Sequence, residues 1–168
     1  MNHPPEPSAN LESFLARIDP AIASTDATHA VFFAYDATNE FHYPGAVVRP
    51  RDREDLRHIL EAANATGTSL FPRGAGTGFS GGSLAVDGGV VIDFLGMNKV
   101  LELDEEDMLV RVQPGVNTWH LQKLVEAKNL YFPPDPASLK ICTLGGNVAE
   151  NAGGPHCLKY GVTRDYVM

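Results

Sequence analysis

The stretch Phe71–Phe94, "FPRGAGTGFSGGSLAVDGGVVIDF", holds seven glycines in its 24 residues and reads as G-x-G-x-x-G at Gly76, Gly78 and Gly81. Such a run marks a Rossmann-type dinucleotide cradle only where a strand leads into the glycines and a helix begins on them, so that the helix N-terminus faces a pyrophosphate. The neighbouring residues decide against that arrangement. Upstream, Leu56, Ile59, Leu60 and Ala63 recur at helical spacing behind Asp52, a candidate N-cap, and Gly67 ends the run before a short strand "TSLFP", residues 68–72. The helix therefore precedes the glycines. Downstream, Asp87-Gly88-Gly89 sets a turn directly before the apolar strand "VVIDF", residues 90–94, and no helix fits between Gly82 and that strand. Residues 76–83 also approach a P-loop, G-x-x-x-x-G-G-S, but Gly82 stands where the phosphate-binding lysine belongs. A long loop remains. Its side-chain-free residues can turn N–H groups inward and bring a ligand's phosphates against bare backbone, the plain alternative being a flexible surface loop.

The rest of the chain has globular composition: 168 residues, 43% hydrophobic and 20% charged, with one domain as the default. Thirteen Lys+Arg against 21 Asp+Glu give a net charge of -8 without any basic run, which argues against nucleic acid as a partner. The start, "MNHPPEPSANLESFL", has neither the basic head nor the apolar core of a secretion signal, and no apolar run approaches a membrane span; a cytoplasmic protein, or one peripheral at a membrane, is expected. Cys142 and Cys157 lack C-x-x-C spacing and are read as free thiols. No two of the six histidines stand at the i, i+4 spacing of a helical metal site, so no metal is expected.

Along the chain, residues 1–26 read as a proline-rich, disordered lead followed by a short amphipathic helix with Leu11, Phe14, Leu15 and Ile18 on one side, closed by Pro20. Residues 27–43 carry no clear pattern. "AVVRP", "RDREDLRHILEAANATG" and "TSLFP" then follow the grammar of a parallel βαβ unit. "KVLELD" and "MLVRVQPG", separated by Glu105-Glu106-Asp107, read as an antiparallel pair. Asn117 can cap a second helix, with Trp119, Leu121, Leu124 and Val125 as its buried side. Two further segments look shaped for a ligand: Pro133-Pro134-Asp135-Pro136-Ala137-Ser138, a rigid turn, and "GGNVAENAGG", residues 145–154, read as a loop. Three such loops on a small mixed sheet suit one large flat cofactor.

In this order and spacing, "PRGAGTGFSGG", "PPDPAS", "TLGGNVAENAGG" and "LKYGVTRDYV" resemble the FAD-binding domain of the flavoprotein family that holds the flavin chain of glycolate oxidase and D-lactate dehydrogenase, over Tyr35 to the end of the chain. The resemblance implies an α+β fold of the vanillyl-alcohol oxidase and p-cresol methylhydroxylase type, in which FAD lies between two subdomains. Residues 27–168 would then be the FAD-binding domain, a first subdomain with a βαβ unit and a mixed sheet, incomplete at its C-terminal side. The resemblance gives the glycine loop, Arg73, Gly74, Ala75, Gly76, Thr77 and Gly78 with Ser80 and Gly81, the task of cradling the FAD pyrophosphate. For Arg73 a phosphate contact and a solvated position beside the loop stay open together. Pro134, Asp135 and Ser138 match a segment near the flavin and its ribityl chain. Gly145, Gly146, Asn147, Ala149, Asn151, Gly153 and Gly154 match a segment packed close to the isoalloxazine and diphosphate, followed by Tyr160 and Gly161. His156-Cys157 reads as an ordinary variant of the pattern, and the FAD is expected to be non-covalent.

The family oxidises a small 2-hydroxy acid, glycolate or D-lactate, by hydride transfer to FAD. Its substrate-contacting residues lie mainly in a later domain, so no catalytic residue is named in this chain. The chain ends at Met168, where members of the family continue. It is therefore expected to be the N-terminal portion of such an enzyme, inactive and holding FAD weakly by itself, with the remaining portion on another chain and, by analogy, an iron–sulfur electron-acceptor subunit. The alternative is a non-catalytic remnant or module that needs a partner chain.

Overall fold

A computed structural model of the chain describes residues 8–168. The proline-rich lead, through residue 7, lies outside the described residues. The chain forms two compact units, one up to Gly96 and one from Met97 onward.

In the first unit, Ser8 caps helix α1 (Ala9–Leu15) by accepting the Leu11 N–H at 3.2 Å. The helix ends before Ile18, and Pro20 opens a 3-10 turn (Pro20–Ile22) rather than closing α1, because its fixed φ suits a first helical position. Strand β1 (Ala23–Ser24) and the short helix α2 (Ala27–Ala30) follow, the latter in the stretch without a sequence pattern. Strand β2 (Ala46–Val48) leads to helix α3 (Arg53–Thr66) and strand β3 (Leu70–Arg73); strand β4 (Val90–Asp93) comes after the glycine loop. Among the described residues these strands form one sheet in the order β1-β2-β4-β3, with β2 and β3 both parallel to β4 and β1 antiparallel to β2. The βαβ unit is thus present, but its two strands flank β4 instead of touching.

Continuous apolar runs in β2 and β4 serve a sheet covered on both faces. Val48, Val90 and Ile92 pack on one face with Leu11, Phe14 and Ile59, so the N-terminal helix is part of this core. Val47 and Val91 pack on the other face with Phe33 and Ala85. Helix α3 starts and stops as its sequence dictates: Asp52 accepts the Glu54 and Asp55 N–H groups at 2.9 Å, and Gly67 takes a left-handed φ of 67°. Its buried side is Ile59, Ala62 and Ala63; Leu60, expected there, is 52% exposed.

The first turn of α3 carries a pH-sensitive contact. Arg51 reaches both Asp55 oxygens, at 2.8 and 3.0 Å, and these bonds hold the Asp55 carboxyl at about 2. A depressed carboxylate contributes stability above its unfolded pKa, roughly 4, and loses it as pH falls through the folded value. Denaturant titrations from pH 7 down to pH 2 should therefore show a loss of stability below about pH 4 that Asp55→Asn makes shallower.

In the second unit, strands β5 (Val100–Asp104) and β6 (Leu109–Val112) pair antiparallel across the polar turn, as their sequence predicts. Asn117 caps helix α4 (Thr118–Glu126), accepting the His120 N–H at 3.1 Å. The helix buries Thr118, Leu121, Gln122 and Val125, an i, i+3, i+4, i+7 stripe. Trp119, expected in the core, sits about 100° round the helix from Thr118 and is 42% exposed. Leu121 and Val125 pack with Val116 and Leu144, covered by Val110 and Phe132. Helices α5 (Leu144–Glu150) and α6 (Cys157–Tyr160) complete the unit. Among the described residues no helix is long and apolar enough to cross a membrane, and no cluster of acidic, histidine and cysteine side chains is fit to hold a metal.

Candidate FAD site

The glycine loop joins β3 to β4 without an α-helix; a 3-10 turn, Val86–Gly88, is the regular structure between them among the described residues. The helix-borne Rossmann cradle is therefore absent here, as the spacing predicts. Gly76 and Gly81 have φ of 67° and 75°, left-handed values that strain any other side chain. The N–H groups of Ala75 through Phe79 donate to no backbone carbonyl or side-chain oxygen among the described residues. Successive unpaired N–H groups on a half-exposed loop are available to an anion, and a diphosphate needs such donors. The loop fits that group.

Arg73 lies beneath the loop and is only 6% exposed, which overturns its reading as a solvated residue. Its Nη2 donates to the Tyr35 carbonyl at 2.7 Å and its Nη1 to Ser83 Oγ at 3.4 Å. Burial pushes the guanidinium below its ordinary pKa, opposed by the nearby carboxylates of Asp36 and Asp93. A Cβ on Gly76 would collide with this guanidinium, 2.6 Å from Cζ.

In the second unit, the proline turn is held from below by Gln122, whose Nε2 donates to the carbonyls of Phe132 at 3.2 Å and Pro134 at 3.0 Å. Ser138 closes the segment by accepting the Ile141 and Cys142 N–H groups through its carbonyl. Asp135 ties this turn to the Gly153-Gly154 segment: its Oδ1 accepts the His156 N–H at 3.1 Å and its Oδ2 lies 3.0 Å from His156 Nδ1. Gly154, with φ of 150°, passes so close that a Cβ would stand 2.5 Å from the Asp135 carbonyl carbon. Tyr131 Oη is 3.2 Å from the same His156 nitrogen, and the Tyr131 and Tyr160 rings meet edge to face. Gly161, at φ 84°, ends α6 and packs against the Asp165 carboxylate.

Residues 145–150, read from the sequence as a loop, are helical. Two glycines in the first turn of α5 cost about 1 kcal/mol each relative to alanine, and what offsets them is a cap and a close approach. Thr143 Oγ1 accepts the Gly146 N–H at 3.2 Å. Gly145 lies on Pro114, where a Cβ would come within 2.6 Å of the proline Cβ. Leu144, Gly145 and Asn147 donate their N–H groups to the Val116, Pro114 and Thr143 carbonyls. The N–H donors of Gly145, Gly146 and Asn147 are thus already used. The Asn147 amide is buried and donates to Thr118 Oγ1 at 2.7 Å, whereas Ala149 is exposed. Asn151 ends the helix at φ 50° and caps the Arg164 N–H at 3.0 Å. Thr143→Ala should destabilise the protein by about 1 kcal/mol, measured by denaturant unfolding.

Sequence reasoning misses Asp36, Gln122 and Tyr131. Gln122 carries a readable signal, a polar residue inside the apolar stripe of α4, whereas Asp36 and Tyr131 carry none.

The helix-free glycine loop on a mixed α+β sheet agrees with the FAD-binding fold of the vanillyl-alcohol oxidase and p-cresol methylhydroxylase type. Solved structures share the architecture: alkyldihydroxyacetonephosphate synthase matches with a TM-score of 0.83 over 98% of this chain and 32% of its own, at 23% identity. p-Cresol methylhydroxylase with bound substrate matches at 0.71 over 85% of this chain and 29% of its own, at 21% identity. The FAD binding domain family model matches residues 44–168, and the chain belongs to that family. The chain is 47% identical to glycolate oxidase subunit GlcD of Bacillus subtilis over 137 residues, covering 81% of this chain and 29% of the relative. It is 38% identical to D-2-hydroxyglutarate dehydrogenase of Stutzerimonas stutzeri over 160 residues, 95% and 34% respectively. With D-lactate dehydrogenase of Anaerostipes hadrus the identity is 41%, over 74% and 26%. The chain thus spans about a third or less of the length of these relatives.

Proposed function

We propose that this chain is the FAD-binding portion of a flavin-dependent dehydrogenase or oxidase acting on a small 2-hydroxy acid of the glycolate or D-lactate class. The observation that carries the reading is the row of unpaired N–H groups from Ala75 to Phe79, on a loop kept open by left-handed glycines. The names of its relatives supply the substrate class. FAD, when bound, supplies the hydride acceptor. The chain's own part is to hold and orient. In the first unit Gly74–Gly82 takes the diphosphate, the backbone carrying the donors and Gly76 and Gly81 the close approach. In the second unit Pro134, Asp135, Ser138, Gly153, Gly154, Tyr160 and Gly161 line the flavin, while Gly145, Gly146, Asn147 and Asn151 shape the segment by packing and capping rather than by donating to a phosphate.

The FAD is assigned as non-covalent, because "GGPHCLKYG" around His156 and Cys157 reads as an ordinary variant of the family pattern and the glycine loop carries no histidine. Acid precipitation of the full-length protein should release all the flavin into the supernatant. An electron-accepting partner subunit is proposed by analogy with the relative named as a subunit. The deciding experiment adds glycolate, D-lactate or D-2-hydroxyglutarate anaerobically to the flavin-loaded full-length protein. Bleaching of the flavin absorbance by glycolate or D-lactate is the expected result; flavin that responds to D-2-hydroxyglutarate alone, or to none of the three, overturns the substrate class.

A further inference from the structure

Arg73 ends β3 at the mouth of the glycine loop, where a cation invites the role of phosphate ligand. The side chain turns the other way. It is buried beneath the loop, with Nη2 on the Tyr35 carbonyl at 2.7 Å and Nη1 on Ser83 Oγ at 3.4 Å. Ser83 Oγ in turn lies 3.5 Å from Asp36 Oδ2, while Asp36 Oδ1 binds the Thr38 N–H at 2.8 Å and its hydroxyl at 2.6 Å. Asp36 is itself 8% exposed. Above the guanidinium sits Gly76, whose missing Cβ leaves the room it occupies, and Phe33 lies below it with its ring centroid 5.8 Å from Cζ.

Three separate stretches of chain therefore converge on one guanidinium: residues 33–36, the start of the loop at 73–76, and its far side at Ser83. The loop makes few backbone hydrogen bonds of its own; within 74–83 the glycines leave it much conformational freedom to lose on ordering. A planar, five-donor group fixed between the two ends of such a loop limits the positions its N–H groups can take, and a buried arginine needs a counter-charge to stay there.

We propose that Arg73, linked through Ser83 to the Asp36 carboxylate, is a positioning device for the glycine loop: it sets the loop's N–H groups for the FAD diphosphate from beneath, without touching the phosphates. The inference rests on the reading of the loop as the diphosphate cradle. It separates two roles that the sequence leaves joined at this position, and it gives Asp36, far from the glycine motif, a part in cofactor binding.

The test uses the full-length protein with Arg73→Met, Arg73→Lys and Asp36→Asn. Amide hydrogen exchange of peptides spanning residues 74–83 is measured in the flavin-free protein, FAD affinity by flavin fluorescence, and the phosphorus-31 resonances of the diphosphate in the bound state. Arg73→Met is expected to speed loop exchange while leaving α3 unchanged, to weaken FAD roughly 10- to 100-fold, the range for a hydrogen bond to a charged group, and to shift the phosphorus resonances of the FAD that remains bound. Arg73→Lys, which keeps the charge and one donor to Tyr35, should recover part of the affinity; Asp36→Asn should fall between the two. A purely structural loss would lower stability without moving the phosphorus resonances of bound FAD. Wild-type loop exchange together with wild-type affinity in Arg73→Met overturns the proposal. If Arg73→Met does not fold, Ser83→Ala, which removes the Nη1 contact, and Asp36→Asn, which removes the charge beside Ser83, carry the same exchange test. Should the wild-type protein bind no FAD, the cradle reading fails by itself, while loop exchange in the variants still decides whether Arg73 positions the loop.

Discussion

Gly76→Ala is expected to empty the full-length protein of FAD, seen as loss of the visible flavin spectrum after gel filtration, while far-ultraviolet circular dichroism stays close to wild type. Two costs add. The left-handed φ of 67° costs an alanine about 1–2 kcal/mol. The new Cβ also meets the Arg73 guanidinium, 2.6 Å from its Cζ, and overpacking of this kind costs about 1–3 kcal/mol. Arg73 cannot swing aside cheaply, since it is buried and bonded to the Tyr35 carbonyl. The loop gives way instead, and the unpaired N–H groups of residues 75–79 are displaced. The sheet beneath keeps its core of Val48, Val90 and Ile92, which the substitution does not touch. From sequence alone the expected damage is a side chain filling the phosphate's space; in the structure the collision falls on the protein's own arginine. Retained flavin at normal occupancy would show that the loop is not the cradle.

Gly154→Ala should have the larger structural effect. Its Cβ would stand 2.5 Å from the Asp135 carbonyl carbon, a backbone atom that cannot rotate away, so the Gly153-Gly154 segment or the proline turn must move. Either movement breaks the bonds between Asp135 and His156 and separates two segments assigned to the flavin. We expect a loss of about 2–4 kcal/mol, from φ strain and overpacking together, together with an increase in protease cleavage near Pro136. Asp135→Asn is the milder companion: it keeps the shape and an acceptor for the His156 N–H but removes the charge facing the ring. A Gly154→Ala protein with wild-type unfolding midpoint and cleavage pattern would contradict the close approach.

Much of this architecture can be read locally. Helix α3 is legible because Asp52 and Gly67 act within a residue or two of the helix ends, and the β5–β6 hairpin because its polar turn separates two apolar runs. What is not legible depends on distant partners. The carbonyl that buries Arg73 belongs to a residue 38 positions earlier, so nothing next to Arg73 announces that it faces inward. Helix α5 looks like a loop because glycine is a poor helix former; its reasons for existing are the cap of Thr143 and the surface of Pro114. Trp119 reads as a core residue by its size, and one step round the helix leaves it outside. The cofactor class is legible in four motifs, but which of their groups remain free to meet a ligand requires the hydrogen bonds.

The strand order of the first unit bears on how the cradle comes into being. Since β4 lies between β2 and β3, β3 has no sheet neighbour and β2 has only the two-residue strand β1 until the chain beyond the glycine loop has been made and threaded into the gap. The insertion closes two parallel pairings at once across an irregular connection, an event of high contact order and hence slow. Before it, two apolar strands stand with open edges, the condition that invites aggregation in a half-made chain. Residues 74–89 are thus the tether of the last strand as well as a binding element. Changes that stiffen or shorten them will be felt in refolding rate and in yield from synthesis, even where the finished protein is equally stable.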